Sequence, residues 1–291
     1  MNYYRRRQLL HTLFFPLLKW YFSHARASQR EPSPQVNPLD TPIDVVIPVA
    51  TKDVEMLPLV LQGVRRFVKH KIDHIYLASS PNQQIARFAH EHGCTFVNED
   101  DLSPLPKADI DYICNGIDRS GWLLQQLIKL NADSVCENDM YLALDADTVL
   151  IQEHIFFHGK TIFRFDKKYY KPFFRTHELL FNSKPTSIVS YVCHLMLFNV
   201  DVLKKFKDTI SQLHQCNWST AILAAIDTNE KSYFSEYESY ANFFSQHYKK
   251  DMELRYSHNL AIPRNNSLGL DHLIGKYSAV AQSISMHEYR R

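Results

Sequence analysis

The chain has 291 residues, 45% of them hydrophobic, with 33 basic against 31 acidic side chains and a net charge of +2. It is long enough to bury a full core as one large domain or two small ones, and too evenly charged to argue for a nucleic-acid partner. Seven glycines, with neither GxGxxG nor GxxxxGK[ST], argue against a P-loop NTPase and remove the main signature of a dinucleotide-binding fold.

The N-terminal stretch "NYYRRRQLLHTLFFPLLKWYF" places Arg5, Arg6 and Arg7 ahead of an apolar run from Leu9 to Phe22, broken by Pro16 and Lys19. That run is too short to span a ~30 Å hydrocarbon core, which needs about 20 helical residues. A basic cluster beside Leu, Phe, Trp and Tyr suits a helix lying in a membrane interface, so residues 1–27 read as an amphipathic segment with peripheral membrane contact through residues 5–22. A helix packed on the protein's own core or on a partner, and a short signal anchor, are the alternatives. Residues 28–43, with prolines at 32, 34, 38 and 42, read as a linker. The five cysteines, Cys94, Cys114, Cys136, Cys193 and Cys216, are odd in number and lack CxxC spacing, which favours reduced thiols. Together these features predict a cytoplasmic protein, peripheral at the inner face of the membrane.

From Asp44 onward the pattern changes. "DVVIPV" reads as a buried strand and "MLPLVLQGVRRFVKH" as the helix behind it. "HIYLASS", "PNQQIARFAHEH", "CTFVNEDD", "SGWLLQQLIKLNAD" and "YLALDADTVL" continue the alternation to a fourth strand. Strands alternating with helices predict an α/β domain over residues 44–291 with a doubly wound, mostly parallel sheet. Ligands of such sheets bind beyond the carboxyl ends of the strands. After Ile151 the segments shorten and become aromatic-rich, in the manner of lid and acceptor-site material.

"YLALDADTVL" ends an apolar run in two carboxylates. In an extended backbone residues i and i+2 point to one side, so Asp145 and Asp147 are expected to project together with Ala146 turned away. Oxygen ligands so placed suit Mg²⁺ or Mn²⁺ shared with substrate phosphates. Without a cation the two carboxylates repel, which predicts raised pKa values in the empty site. One aspartate capping a turn and the other solvated is the bland reading of the pair.

On "DVVIPVATKD", "GWLLQQLIKL", "YLALDADTVL", "CHLMLF", "FSEYESYANF" and "SMHEYRR", the chain resembles a GT-A-type glycosyltransferase. Within that type it is similar to an uncharacterised bacterial group associated with capsule and surface glycans. The resemblance implies metal-dependent transfer of a sugar from a nucleotide-sugar, UDP- or GDP-linked, to a glycan or lipid-linked acceptor. Asp145 and Asp147 then hold the metal on the diphosphate. The resemblance further implies that Pro48, Val49 and Asp53, at the end of the first strand, meet the nucleotide. Asp53 equally suits a helix cap. It also brings Arg119 to a diphosphate and Gln126 to a sugar hydroxyl, although a plain amphipathic helix explains the same pattern. A histidine from the C-terminal part completes the metal shell in such enzymes; His287, ending the alternating "SISMH", is preferred to His258.

Ser235 and Glu238 form a capping box, so a helix starts at "FSEYESYANFF" with Tyr237, Tyr240, Ala241 and Phe244 buried and Glu238, Asn242 and Ser245 on a polar side. Glu236 lies at an aromatic edge near the helix start, where an inverting transferase needs a base for the acceptor hydroxyl; Glu238 is the second choice. His194 and Tyr237 are acceptor-site candidates, His194 with a core role as its alternative. Two rival functions remain open. "DADTV" also matches the DxDx[TV] motif of haloacid-dehalogenase-type phosphohydrolases, in which Asp145 is the nucleophile, but three strand–helix units precede it and no later acidic pair follows. A non-catalytic scaffold that binds glycan or a partner is the other.

Overall fold

The computed structural model describes residues 3–21, 37–166, 169–264 and 268–287. Most of the proline-rich linker, residues 28–36, and the end of "SMHEYRR" lie outside the described residues.

Five strands build the central sheet: β1 (Ile43–Pro48), β2 (Ile72–Ser79), β3 (Thr95–Asn98), β4 (Met140–Leu144) and, after β5 (Thr148–Leu150) and β6 (Thr161–Phe165), β7 (Leu195–Asn199). Their spatial order is β3-β2-β1-β4-β7, parallel except for the antiparallel β4–β7 pair. The α/β, doubly wound and mostly parallel sheet expected from the alternation is present, behind an N-terminal helix. Side chains on β1 and β4 explain why the sheet is covered on both faces. Val46, Tyr141 and Ala143 enter one apolar cluster, while Val45, Ile47, Leu142 and Leu144 enter the other. On the second side α2 (Leu57–Phe67) carries Leu57, Val60 and Val64. On the first, α4 (Ser120–Asn131), which follows α3 (Gln83–Glu91), carries Leu123, Leu127 and Leu130.

A second, three-stranded sheet lies against α2. Its order is β9 (Asn259–Pro263), β10 (Ser283–His287), β5, with β9 and β10 parallel and β10–β5 antiparallel. Gly63 permits this contact, because a Cβ there would stand 2.7 Å from the Leu150 carbonyl oxygen. A third, two-stranded sheet pairs β6 with β8 (Met252–Tyr256).

Helix α1 (Tyr3–Trp20) presents a stripe of Tyr4, His11, Phe15 and Leu18 to the body. The Tyr3 hydroxyl donates to Pro185 O at 2.8 Å, and the Phe15 ring meets Phe165 and Tyr256 at 6.5 and 6.0 Å between centroids. Leu9, Leu10, Leu13, Phe14, Leu17 and Trp20 face outward and are exposed. Among the described residues no helix is long and apolar enough to cross a membrane.

Candidate active site

The run Met140–Leu150 is not one strand. β4 ends at Leu144 in the central sheet, and β5 resumes at Thr148 in the three-stranded sheet. The chain turns between them, with the Thr148 amide donating to the Asp145 carbonyl at 3.0 Å. Asp145 and Asp147 therefore converge through a turn, which corrects the extended-backbone expectation. The physical reason is a change of partner: β4 pairs with β1 and β7, whereas β5 pairs with β10. Ala146 points into the core, as expected.

This turn opens on a cleft of about 1220 Å³ at the carboxyl end of the parallel strands. Helix α4 lines it with Trp122, Gln125, Gln126 and Lys129, residues at i, i+3, i+4 and i+7 on one helical face. From the opposite side comes α7 (Glu236–His247), which follows α5 (Lys171–Phe181) and α6 (Val200–His214). The Ser235 side chain caps α7 by accepting from the Glu238 amide at 3.3 Å.

Lys129 is the centre of the charge arrangement. Its ammonium donates to Asp145 Oδ1 and, at 2.8 Å, to Glu236 Oε1. It also sits 4.5 Å from the centroid of the Tyr237 ring. Burial by itself would lower the lysine pKa, but the two carboxylates raise it well above its ordinary value. Burial likewise pushes Asp145 up, yet Lys129 and His194 hold it below the usual carboxylate range. The upward shift expected for Asp145 in an empty site is thus corrected: the protein supplies its own cation. Glu236 is raised by burial and by Asp145, against the pull of Lys129. With its amide nitrogen turned toward them, Gln126 donates to Phe234 O at 2.9 Å and to Glu236 Oε2 at 2.7 Å. Both Glu236 oxygens are therefore held.

Two histidines face the aspartates. Nδ1 of His194 lies 3.0 Å from Asp145 Oδ2, and Nδ1 of His287 lies 3.1 Å from Asp147 Oδ2. Their rings are 5.5 Å apart. Among the described residues, Asp145, Asp147 and His194 offer ligand atoms that all lie within 4.8 Å of one another. Carboxylate and imidazole donors of this kind fit a divalent cation. His287, the ligand expected from the sequence, touches Asp147 but is not one of that group of three. The Asp145 and Asp147 side chains keep 28% and 21% of their surface exposed, so each can still meet a ligand from the cleft.

The other sequence candidates separate. Pro48, Val49, Asp53, Arg119 and Tyr237 all line the cleft. The Asp53 carboxylate pairs with Arg264, which also donates to Lys52 O at 2.7 Å and so ties down the loop after β1. The Arg119 guanidinium lies over Trp122 at 4.7 Å and donates to Lys231 O at 3.0 Å. Tyr237 Oη is 3.4 Å from Asp145 Oδ1. Glu238, by contrast, is fully buried and turned from the cleft: it accepts from Ser190 Oγ at 2.7 Å, from the Tyr191 amide at 2.9 Å and from Asn242 at 2.8 Å. The side of α7 expected to be polar is instead packed, because the Ser190–Tyr191 segment closes over Glu238. His258 stands at the start of β9 against Tyr256 and does not line the cleft. Lys129 was not singled out in the sequence. Its signal was a lysine continuing the Trp122–Gln126 face inside an otherwise apolar helix.

A family model described as "Family of unknown function (DUF6492)" matches residues 40–274. Among solved structures, mouse xyloside xylosyltransferase 1 in its apo form is similar at 12% identity, covering 84% of this chain and 97% of that one, with a TM-score of 0.46. The galactosyltransferase LgtC in complex with donor and acceptor sugar analogs is similar at 10% identity, covering 84% and 87%, with a TM-score of 0.44. No curated protein matches the sequence.

Proposed function

We propose that this chain, which belongs to the DUF6492 family, is a metal-dependent glycosyltransferase that moves a sugar from a UDP- or GDP-sugar to a glycan or lipid-linked acceptor. The observation that carries this reading is the convergence of Asp145, Asp147, two histidines and Glu236 in one open cleft at the carboxyl ends of the parallel strands. Asp145, Asp147 and His287 hold Mn²⁺ or Mg²⁺. A divalent ion there supplies Lewis-acid stabilisation for the charge on the departing nucleotide.

The chain's own residues do the rest. Pro48 and Val49 border the donor end of the cleft, and Arg264 fixes Asp53 and its loop in position there. Arg119, just before α4, and Gln126, in its middle, line the cleft where the donor diphosphate and sugar would lie. Lys129 and Gln126 hold the Glu236 carboxylate in one orientation, and burial strengthens it as a base toward an acceptor hydroxyl. Tyr237 lines the acceptor side.

The helix α1 supports a peripheral location on the cytoplasmic face of a membrane. Its outer face joins exposed Leu9, Leu13, Phe14, Leu17 and Trp20 to exposed Arg5, Arg6 and Lys19, a pairing suited to anionic lipid. A glycan made at such a surface for a bacterial envelope fits this placement. Donor hydrolysis and thermal shift across a nucleotide-sugar panel with Mn²⁺ or Mg²⁺ test the catalytic reading, and vesicle co-sedimentation tests the location. Turnover of phosphomonoesters with an aspartyl-phosphate trapped at Asp145 would replace transfer by phosphohydrolysis. Glycan binding without any metal requirement would reduce the chain to a scaffold.

A further inference from the structure

His194 stands apart from every other residue of the cleft in its backbone. It holds φ at +65°, in the left-handed region, where a non-glycine residue is kept only at a cost in free energy. What the conformation achieves is a double attachment to Asp145. The Asp145 amide donates to the His194 carbonyl at 3.0 Å, and the His194 ring returns to place Nδ1 3.0 Å from Asp145 Oδ2. The ring thereby brings a nitrogen within 4.8 Å of ligand atoms of both aspartates, with its centroid 5.5 Å from that of His287.

The spacing is informative. With metal–ligand bonds of about 2.1 Å, two neighbouring ligands at right angles around an ion stand about 3 Å apart. Asp145, Asp147 and His194 present ligand atoms that all lie within 4.8 Å of one another, close enough for neighbouring and opposite positions around one ion. We infer that His194 is a direct ligand of the cleft's divalent ion, so that the protein contributes two carboxylates and two imidazoles. This rests on the metal-dependent reading above and deepens it, because the donor set selects the ion. Two imidazoles favour a first-row transition ion such as Mn²⁺ or Co²⁺ over Mg²⁺, which prefers oxygen ligands and water. The expectation from sequence that His194 serves the acceptor gives way here to a role toward the metal.

The test is electron paramagnetic resonance of Mn²⁺ added to the full chain, alone and with UDP, read for modulation by directly bound ¹⁴N. The expected result is two coordinated nitrogens in the wild type. His194→Asn, which tolerates the left-handed backbone, should show one nitrogen and bind Mn²⁺ about tenfold more weakly or worse, with Mg²⁺ affinity by competition changed much less. His194→Gly serves as the second variant, and His287→Asn should retain the His194 nitrogen. A nitrogen signal in the wild type that His194→Asn leaves unchanged, unchanged Mn²⁺ binding in both His194 variants, or no Mn²⁺ binding with or without UDP would overturn the inference. Two nitrogens with no turnover of any nucleotide-sugar would leave it standing while the transferase reading falls. Sugar transfer with no nitrogen from His194 would do the reverse.

Discussion

The two ends of the central sheet treat their carboxylates differently. At the amino end of β1, Asp44 is fully buried and saturated: it accepts from the Glu137 and Asn138 amides at 2.8 and 3.0 Å, from the Asn138 side chain at 2.9 Å, and faces His74 Nδ1 at 3.1 Å. At the carboxyl end of β4, Asp145 and Asp147 remain partly exposed, and their partners are the side chains of Lys129, His194 and His287. Both arrangements avoid an unpaired buried charge. The first does so with two backbone amides and two side chains, fully buried, and leaves nothing for a ligand. The second does so with side chains and opens on the cleft. Buried saturation marks a structural carboxylate, and partial exposure to the cleft marks a site.

The strongest way to sharpen this contrast is Asp147→Asn. Sugar transfer should fall by about three orders of magnitude or more, while the melting temperature without ligand stays close to wild type. Melting with and without Mn²⁺ and nucleotide checks it. A destabilised variant that still bound nucleotide in a metal-dependent way would move Asp147 to the structural class.

Lys129→Met attacks the partner side chain itself. It leaves Glu236 buried and Asp145 half-buried with no lysine between them, and stability at neutral pH should drop by about 3 kcal/mol. Acid should restore part of the loss as Glu236 takes a proton, and Mn²⁺ should restore more in the variant than it adds to the wild type. Urea titrations at two pH values, with and without Mn²⁺, measure both effects; equal stability throughout would show that Lys129 does not balance these charges.

Glu238 belongs to the saturated class, yet burial pushes its pKa from 4.5 up to about 7 against three hydrogen bonds that oppose the shift. Because the folded value is raised, its contribution is full below 4.5 and is lost as pH rises toward 7. The loss across that window is roughly 2–3 kcal/mol. Glu238→Gln should flatten the stability–pH profile there without changing transfer. A profile that kept its slope in the variant would assign the proton elsewhere.

The smallest effect is expected from Asp44→Asn. The kept oxygen can serve both the Glu137 and Asn138 amides, which share Oδ2, while the Asn138 side chain loses its acceptor, and stability should fall by about 1–2 kcal/mol. Metal and nucleotide binding, followed by calorimetry, should not move. A change in either would mean that the two ends of the sheet communicate.

The sequence by itself determined the series of strands and helices from β1 to β4, because a sheet buried on both faces demands short continuous apolar runs separated by helical periods. It also determined the pair of carboxylates at a strand end, and a strand closing on His287, since period-two alternation survives in "SISMH". Tertiary structure decided what those pieces do. "YLALDADTVL" does not show that its second half joins another sheet, because strand partners lie far away in the chain: β5 meets β10 across the Ile284–Val149 pair. Nor does local pattern reveal that Lys129 and Glu236, 107 positions apart, share one hydrogen bond. Glu238 and Glu236 are two residues apart on one helix and equally acidic, yet one meets the Ser190 turn and the other the cleft. That difference belongs to what packs against each face of α7. His194 owes its place to a left-handed backbone conformation that Asp145 holds from the neighbouring strand, a constraint imposed across the sheet and invisible along the chain.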